Sequence, residues 1–253
     1  MNKNNVHAYG QLCGLFYDAT EKYASDCEIN FFAACIKQYP GRVLEAMSGS
    51  GRLQIPLMQR GYVVDGVDHS EAMLARCRER CAKLKLEPKL YQQSVENLKL
   101  PYKKYGTVII AVGSLQLITD QNLVLKSLKN VHAHMSVGGN LYIDIFVPDT
   151  TLEEFSISQV RLDDHTIIRL TRRHQFDVEK KIANTFCLYE LIVDGIIQKQ
   201  ENELIEIVWR TDVQWHQLLQ QAGFEVVQVY DATFKKPEIS RIIHAKSVVE
   251  NIN

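Results

Sequence analysis

The sequence predicts an α/β fold: a mostly parallel sheet of seven strands with helices on both faces, and an antiparallel β insertion after the fifth strand. Up to about residue 150, short apolar runs alternate with amphipathic segments at helical spacing, which is typical of right-handed βαβ units. Between about residues 158 and 208, polar and apolar side chains alternate with a period of two, which favours antiparallel strands. A further helix and two apolar runs complete the 253-residue chain.

Two helices are predicted over residues 8–38, where aromatic residues recur at helical spacing, with a break near Thr20 or Ser25. Both helices are expected to cover the start of the parallel domain, with their aromatic side chains mainly in its core. A lid over a ligand, formed by tyrosines that precede the first strand, is the alternative interpretation.

The elements of the parallel part follow at regular spacing, separated by glycine, proline or polar turns. In chain order they are strand 42–46, helix 52–60, strand 62–68, helix 70–86, strand 89–93, strand 105–112, helix 121–136 and strand 140–146. Ser70 is predicted to cap its helix, with Glu71 in the first turn. Gly138 and Gly139 are predicted to form the turn before the fifth strand.

Three segments are predicted to form an inserted antiparallel sheet of three or four strands: residues 158–176, 181–193 and 196–208. Val193 to Ile196 has the sequence of a hairpin turn. Helix 215–222 then resumes the first pattern, followed by strands 224–230 and 241–247.

The chain is therefore predicted to form one domain of residues 1–150 and 209–253. The intervening residues, 151–208, would form a lid or substrate subdomain.

Composition excludes several classes of protein. With 29 basic and 30 acidic residues, the chain lacks the charge that would steer it to nucleic acid or anionic lipid. No run approaches the roughly 18 apolar residues of a membrane helix, and the first residues lack the apolar core of a signal peptide. The sequence therefore predicts a cytoplasmic protein with neither a nucleic-acid partner nor a membrane association.

The six cysteines contain no Cys-x-x-Cys pair. Cys77 and Cys81 are four residues apart on a predicted helix, a spacing that would suit two ligands of a metal site. Reduced, buried cysteines are the favoured interpretation for a cytoplasmic protein. No metal site is therefore predicted.

Polar or small residues stand at the carboxyl ends of four predicted parallel strands: Glu45, Asp68, Ser94 and Gly113-Ser114. In parallel sheets, ligands bind beyond these ends, at the point where the strand order reverses. Gly49 and Gly51, between the first strand and its helix, allow the backbone to approach a ligand closely. The sequence thus predicts a ligand site at this edge of the sheet.

The acidic residues narrow the choice of ligand. A dinucleotide-binding turn has a third glycine where this chain has Gln54, and the Glu45 carboxylate would repel a pyrophosphate. Glu45 suits a positively charged ligand, and Asp68 can accept two charge-assisted hydrogen bonds from a ribose diol. S-adenosylmethionine carries both a cationic amino-acid end and a ribose.

The chain resembles the class I S-adenosylmethionine-dependent methyltransferases, which have a Rossmann-like fold. The matching segments are Val43–Leu53, Gly66–Leu74, Gly113–Ile118, Gly138-Gly139 and Gln221–Phe224. The resemblance covers about residues 8–150 and 209–247, and it is strongest to small-molecule N-methyltransferases, including those acting on amino sugars.

At the methionine end of the cofactor, the resemblance implies that Glu45, Ala46 and Gly49 line the amino-acid moiety and that Gly51 permits the turn. Near the sulfonium it places Val112 and Ser114, with Tyr17 or Tyr23 closing over the site.

At the nucleoside end, the resemblance implies that Asp68 holds the ribose hydroxyls and that His69 and Met73 pack the adenine. Ser94 and Val95 stand where relatives usually have an acidic residue that contacts the adenine amino group.

Gln116 stands where relatives often have histidine, and glutamine cannot act as a base at neutral pH. Catalysis by proximity is therefore predicted, with Gln116 and Tyr17 in positioning roles. The acceptor is expected between Tyr9, Tyr17, Gln116, Asp144 and the inserted sheet.

Trp209 and Arg210 are the favoured candidates from the insert side of that acceptor pocket. Further candidates are Arg161, Arg172, Arg173 and His174, for which a solvated strand face is the favoured interpretation.

The predicted function is transfer of a methyl group to a small molecule, preferably an amine, with S-adenosylhomocysteine as the product. One alternative is a non-catalytic protein that binds S-adenosylmethionine or S-adenosylhomocysteine, motivated by Gln116 and Ser94. A second is methylation of a protein or nucleic acid, and a third, a nicotinamide-dependent oxidoreductase, is disfavoured by Glu45. The acceptor's identity stays open, and a homodimer is compatible with the sequence.

Overall fold

A computed structural model describes residues 9–232 and 239–248; the start of the chain, where no signal peptide is predicted, lies outside the described residues. The helices and strands, in chain order, are α1 (Gln11–Thr20), α2 (Asp26–Gln38), β1 (Val43–Ala46), α3 (Gln54–Gln59), β2 (Val64–Asp68), α4 (Glu71–Lys83), β3 (Lys89–Gln92), β4 (Tyr105–Ile110), α5 (Gln121–Ala133), β5 (Met135–Val147), β6 (Phe155–Arg161), β7 (Thr166–Asp177), β8 (Ile182–Val193), β9 (Ile196–Val208), α6 (Asp212–Gln221), β10 (Phe224–Asp231) and β11 (Ile239–Ser247). Short 3₁₀ turns follow β3 and β4, at Val95–Asn97 and Ser114–Leu117.

The main sheet has seven strands in the order β10-β11-β5-β4-β1-β2-β3. β11 is antiparallel to both of its neighbours, while β1 to β5 pair in parallel. The predicted mostly parallel, seven-stranded sheet is confirmed. β1 lies between β2 and β4, so the strand order reverses beside β1, which is where ligands bind in such sheets.

Helices cover both faces of this sheet. Val43 and Leu44 are adjacent on β1 and therefore point to opposite faces. Leu44 belongs to a buried cluster with Leu128 of α5 and Trp215 of α6. Val43 belongs to a second cluster, with Phe32 of α2. The two clusters hold β1 rigidly, and with it the turn that follows.

The antiparallel insertion is a separate four-stranded sheet in the order β6-β7-β8-β9. The segment 158–176 contributes to two strands, because the polar residues between β6 and β7 form a turn, so the sheet has four strands rather than three. In that turn Leu162 N–H donates to Thr166 O at 2.9 Å, and His165 N–H donates to Asp163 Oδ1 at 2.9 Å. The predicted hairpin between β8 and β9 is confirmed.

α1 packs its apolar face against the antiparallel sheet, whereas the sequence predicted that this face would pack in the core of the parallel domain. Its residues Leu12, Cys13 and Phe16 pack in one cluster with Ile168 and Tyr189 of that sheet. The helical spacing of apolar residues in α1 could not show whether it packs on the parallel domain or on the antiparallel sheet, since both present an apolar face. α1 therefore joins the inserted sheet to the rest of the chain.

Gly138 and Gly139 lie within β5, not in a turn before it. β5 begins at Met135, and its pairing with β4 shifts register around the two glycines. A Cβ at Gly139 would lie 2.9 Å from Ser136 O and 3.1 Å from Gly106 O. The glycines therefore allow an irregular stretch of strand to pass close to β4.

No described helix is long and apolar enough to cross a bilayer. Over residues 9–232 and 239–248, no group of three or more His, Cys, Asp or Glu is placed to hold a metal ion. Cys77 and Cys81 are free thiols buried against Ile55, where they pack as small apolar side chains.

Candidate active site

The turn after β1 has no space for a side chain at Gly51. A Cβ there would lie 2.6 Å from Cys77 Sγ and 3.0 Å from Ile55 Cγ1. Gly49 and Gly51 both have positive φ angles, 55° and 82°, which glycine adopts without strain. The turn thus brings bare backbone to the carboxyl edge of the sheet.

Glu45, the acidic residue of β1, has a buried carboxyl group with unused hydrogen-bonding capacity. Its Oε2 has no hydrogen-bond partner among the described residues. Burial raises the pKa of Glu45 to about 8, against the opposing effect of Arg52. Arg52 is itself paired with Glu28 by two hydrogen bonds of 2.9 and 2.6 Å. A cation that approached Glu45 would therefore meet a carboxyl group with no strong partner.

Asp68, at the end of β2, is held by backbone on both oxygens. Gly49 N–H donates to Oδ2 at 2.8 Å, and Ser70 N–H donates to Oδ1 at 2.8 Å. Each carboxylate oxygen can accept about two hydrogen bonds, so acceptor capacity is left for a ligand. His69 Nδ1 stands 3.6 Å from Oδ1. Asp68 thus connects the glycine turn to the start of α4.

Gln54 occupies the position of the third glycine in a dinucleotide-binding turn, and the structure shows how it fits. Its side chain is fully buried, and Nε2 donates to Val64 O at 3.1 Å. The space comes from Gly66 on β2, where a Cβ would lie 2.5 Å from Gln54 Oε1 and 2.8 Å from Ser48 Oγ. The small residue that lets α3 and the sheet pack closely is therefore on β2.

Several non-glycine residues with left-handed backbone conformations lie at the site, among them Met47 and Val112. Met47 follows β1 with φ of 61°, and Val112 follows β4 with φ of 57°. Such conformations cost roughly 1–3 kcal/mol and cluster at functional sites. Val112 is fixed because its N–H donates to Asp144 Oδ2 at 2.7 Å. Ser114 Oγ closes the same turn by donating to Ala111 O at 2.7 Å.

Gln116, predicted to position the acceptor, instead pairs with backbone. Its Nε2 donates to Phe146 O at 2.9 Å, and its Oε1 accepts from Phe146 N–H at 2.8 Å. The side chain is fully buried. Both polar atoms therefore tie the loop after β4 to β5.

α1 carries tyrosines to the site and is joined to the glycine turn. The rings of Tyr9 and Tyr17 lie 6.5 Å apart, centroid to centroid. Asp18 pairs with Arg76 of α4, with Arg76 Nε 2.8 Å from Oδ2, and accepts from Ser50 Oγ at 3.0 Å. These bonds hold α1 across the carboxyl edge of the sheet.

Two neighbouring cavities result. The first lies at the ends of β1, β2 and β4 and is lined by Tyr9, Tyr17, Glu45, Met47, Ser48, Gly49, Ser50, Arg52, Asp68, His69, Met73, Ala111, Val112, Ser114 and Leu117. The second lies between the parallel domain and β9 and is lined by Tyr9, Met47, His69, Gln93, Ser94, Val95, Glu96, Leu117, Ile118, Thr119, Leu204, Ile205 and Glu206. Tyr9, Met47, His69 and Leu117 line both, so these residues stand at the junction.

Many of the predicted site residues therefore lie together. The first cavity brings together Tyr9, Tyr17, Glu45, Gly49, Asp68, His69, Met73, Val112 and Ser114. Ser94 and Val95 line the second. The predicted residues that line neither cavity are Tyr23, Ala46, Gly51, Gln116, Asp144, Trp209 and Arg210.

Tyr23 and Arg210, both away from the cavities, have other partners. The guanidinium carbon of Arg80 lies over the Tyr23 ring, 4.7 Å from the ring centroid. Arg210 Nη2 donates to Ile118 O at 3.3 Å and Thr119 O at 3.2 Å. Burial lowers the pKa of Arg210, which stacks on Trp215. Trp209, its neighbour, is buried.

The further insert candidates also bond within their own sheet or its turns. Arg161 donates to Asp164 O, Arg172 to Ser158 Oγ, and Arg173 to Glu154 Oε1. His174 lies beside Thr185 Oγ1 at 3.1 Å. None of these side chains lines either cavity.

Sequence reasoning missed several lining residues. Met47, Ser48 and Ser50 lie between predicted positions, so their place in the turn was a usable signal. Arg52, Ala111 and Leu117 also line the first cavity. Leu204, Ile205 and Glu206 of β9 line the second. Only the packing of the two sheets reveals these β9 residues.

Comparison with known proteins identifies a domain within the chain. Residues 43–139 match the model of a methyltransferase domain. A Geobacillus sp. (strain WCH70) protein with a provisional methyltransferase name is 22% identical over 204 residues, covering 79% of this chain and 82% of that protein.

Two solved structures have similar folds. One is an S-adenosylmethionine-dependent methyltransferase from Clostridium acetobutylicum ATCC 824, with a TM-score of 0.76 and 18% identity over 93% of this chain and 97% of that one. The other is a sugar N-methyltransferase from Streptoalloteichus sp ATCC 53650, with a TM-score of 0.75 and 16% identity over 96% of this chain and 98% of that one. The matched domain includes the glycine turn, Asp68 and the end of β4. Residues 43–139 therefore form a methyltransferase domain, and the chain has the fold of S-adenosylmethionine-dependent methyltransferases.

Proposed function

We propose that the protein methylates an amine of a small molecule, with S-adenosylmethionine in the first cavity and the acceptor at its junction with the second. The observation that carries the proposal is the buried Glu45 carboxyl group. Its Oε2 has no hydrogen-bond partner among the described residues, and the residue lines the first cavity. A group of this kind is stabilised by a cation.

The donor set fits S-adenosylmethionine. The cofactor supplies an electrophilic methyl group on a sulfonium when it is bound. Glu45 would face its cationic part, and the turn at Gly49 would offer backbone close to the ligand. Asp68 would accept from the ribose hydroxyls with the capacity that its two backbone bonds leave free.

The shape of the site favours a small acceptor. Both cavities are bounded on one side by the parallel domain, and β9 lines the other side of the second. The acceptor would therefore enter between two sheets rather than lie on an open surface. We retain the division into residues 1–150 and 209–253 on one side, and an acceptor-side subdomain of residues 151–208, as part of this proposal.

The charge of the site favours an amine. Besides Glu45, which would face the cofactor, Asp68 lines the first cavity, and Glu96 and Glu206 line the second. Arg52, which also lines the first cavity, is already neutralised by Glu28. Carboxylates in excess attract a basic acceptor. The sugar N-methyltransferase fold described above is consistent with this choice.

The chain's residues would act by positioning. Burial raises the pKa of Tyr9 and of Tyr17, so both phenols stay protonated near neutral pH. Neither is a base there. A neutral amine needs no base before it attacks, and after transfer its proton can pass to water. Tyr9 and Tyr17 would exclude solvent and orient the acceptor.

The experiment is a product assay with matched acceptors. Pairs of small molecules that differ only in an amine or a hydroxyl group would be incubated with the protein and S-adenosylmethionine, and products measured by mass spectrometry. We expect methylated amines and unmodified hydroxyl partners. Methylation of the hydroxyl member alone, or of a protein or nucleic-acid substrate in preference to every amine, would contradict the proposed acceptor class. The cytoplasmic location remains a sequence-based prediction, and a homodimer remains compatible with the sequence.

A further inference from the structure

Two acidic residues on one face of strand β9 accept hydrogen bonds from the start of α1. Side chains alternate along a strand, so Glu201 and Glu203 point to the same side. Tyr9 N–H donates to Glu203 Oε1, and Leu12 N–H donates to Glu201 Oε2 at 2.6 Å. Carboxylates at a helix N-terminus are stabilised by its unpaired N–H groups and its dipole. The pair therefore fixes where α1 begins.

Further contacts of Lys199 and Gly10 stabilise this packing of the start of α1 on β9. Lys199, on the same face of β9, pairs with Glu201 Oε1 at 2.8 Å and donates to Gln11 Oε1 at 2.8 Å. Gly10 lies so close that a Cβ there would be 2.7 Å from Glu201 Oε2. Tyr9 and Gly10, just before α1, are thus packed closely against β9.

Glu203 lies in a surrounding that is unfavourable for a carboxyl group. It is buried, at 3% exposure, near Cys13 and Tyr189 of an apolar cluster. Burying a carboxyl group costs free energy unless the group is hydrogen-bonded or paired. Its partner Tyr9 has φ of 59°, a left-handed conformation that a side chain rarely adopts. The hydrogen bond from Tyr9 to Glu203 holds that conformation.

A chain of hydrogen bonds continues from Tyr9 to the glycine turn. Ser70 Oγ donates to Tyr9 O at 3.1 Å, and Ser70 N–H donates to Asp68 Oδ1 at 2.8 Å. Asp68 Oδ2 then accepts from Gly49 N–H at 2.8 Å. Through Tyr9, this chain of hydrogen bonds connects β9 of the inserted sheet to the predicted cofactor site.

We propose that Glu203 is a positioning residue for methyl transfer: together with Glu201 it holds Tyr9 at the junction of the two cavities and so makes cofactor binding depend on the inserted sheet. The proposal rests on the proposed function, because Tyr9 lines both the cofactor cavity and its neighbour. Glu203 acts through Tyr9 and is not itself in the lining.

The test compares Glu203→Leu, which removes the acceptor, with Glu203→Gln, which keeps a carbonyl in its place. Glu190→Gln is the matched control: Glu190 lies on β8, on the opposite face of the same sheet, and pairs with Arg169 at 2.6 Å. Two quantities are measured on the full chain: hydrogen exchange of the backbone amides at residues 9–12, and calorimetric affinity for S-adenosylhomocysteine.

We expect Glu203→Leu to speed exchange at residues 9–12 by about tenfold and to weaken S-adenosylhomocysteine binding by about tenfold, the effect of one buried hydrogen bond. Glu203→Gln should restore most of both. Glu190→Gln should change neither, although it removes an ion pair from the same sheet. Global stability, measured by urea unfolding, separates a local effect from general weakening.

Wild-type exchange and affinity in Glu203→Leu would overturn the proposal. If that variant does not fold, Glu201→Leu replaces it, because this side chain is 22% exposed. Faster exchange at Leu12 with weaker binding would then support the proposal, and unchanged values would overturn it. A wild-type protein that fails to bind S-adenosylhomocysteine would contradict the proposed function and this inference together. Normal binding by both wild type and Glu203→Leu would overturn this inference alone.

Discussion

Asp68 accepts a hydrogen bond from the backbone N–H of Gly49 at 2.8 Å, across 19 residues of sequence. This bond joins the end of β2 to the turn after β1, so the two acidic residues Glu45 and Asp68 form one site. Because the bond fixes both groups in place, it also limits which ligands Glu45 or Asp68 can bind. The turn cannot move without loosening Asp68, and Asp68 cannot be removed without freeing the turn.

Cofactor affinity should depend on pH through Glu45. Burial raises its pKa to about 8 in the free protein, so the group is mostly protonated near pH 7. A cationic ligand requires the ionised form, so each pH unit below about 8 should weaken binding by up to about tenfold. Above about pH 8 the affinity should level off.

Calorimetry in two buffers of different ionisation enthalpy measures the proton released when S-adenosylmethionine binds. We expect release of most of one proton near pH 7. Glu45→Gln should bind more weakly, without this dependence on pH. Proton uptake, or a flat profile in the wild type, would show that Glu45 does not meet the cation.

The same raised pKa affects the ligand-free protein in the opposite direction. Since folding raises the pKa of Glu45, its contribution to stability is full below the unfolded value and is lost as pH rises through about 8. Urea unfolding of the free protein at increasing pH should show this loss, and Glu45→Gln should reduce it. Equal slopes for the two proteins would contradict the assignment.

Gly51→Ala should destabilise the protein more than a matched change in an open turn. The new Cβ would lie 2.6 Å from Cys77 Sγ, in addition to the strain of φ 82°. We expect a loss of about 3 kcal/mol or more in the free energy of unfolding. Gly195→Ala, with φ of 79° and no atom within 4 Å of its Cβ, should lose only about 1 kcal/mol. Equal losses of unfolding free energy in the two variants would mean that the turn after β1 has space for a side chain at Gly51.

Gln116→Leu should lower stability without changing the acceptor's KM. The substitution leaves Phe146 N–H and C=O without their side-chain partners, at a cost of about 2–4 kcal/mol. Thermal unfolding measures the first effect, and steady-state kinetics at a temperature where the variant is folded measures the second. Wild-type stability with a raised KM would instead support the acceptor role that the sequence predicted.

The fold could be predicted because its signals are local. The period of apolar residues, the glycine turn and the Asp194-Gly195 hairpin each lie within a few adjacent residues. Glu45 and Asp68 could be found because strand ends are visible in sequence and carboxylates there are chemically informative.

The remaining features depend on residues that are distant in sequence. Gln116 and Asp144 resemble site residues in sequence, yet both bond to backbone that folding brings near: Phe146 N–H and Val112 N–H. Glu203 reaches Tyr9 across 194 residues. No pattern of local period or charge reports such pairs, because the partner is a backbone group whose position is set by the two sheets together.

One measurement tests the central claim most directly: calorimetric titration of the wild type and Asp68→Ala with S-adenosylmethionine, with urea unfolding of both. We expect wild-type binding and at least about tenfold weaker binding by the variant, since each charge-assisted hydrogen bond to the ribose is worth roughly 1.5–3 kcal/mol. The variant should still unfold cooperatively. Equal affinity in the two proteins would contradict the assignment of this site to the cofactor.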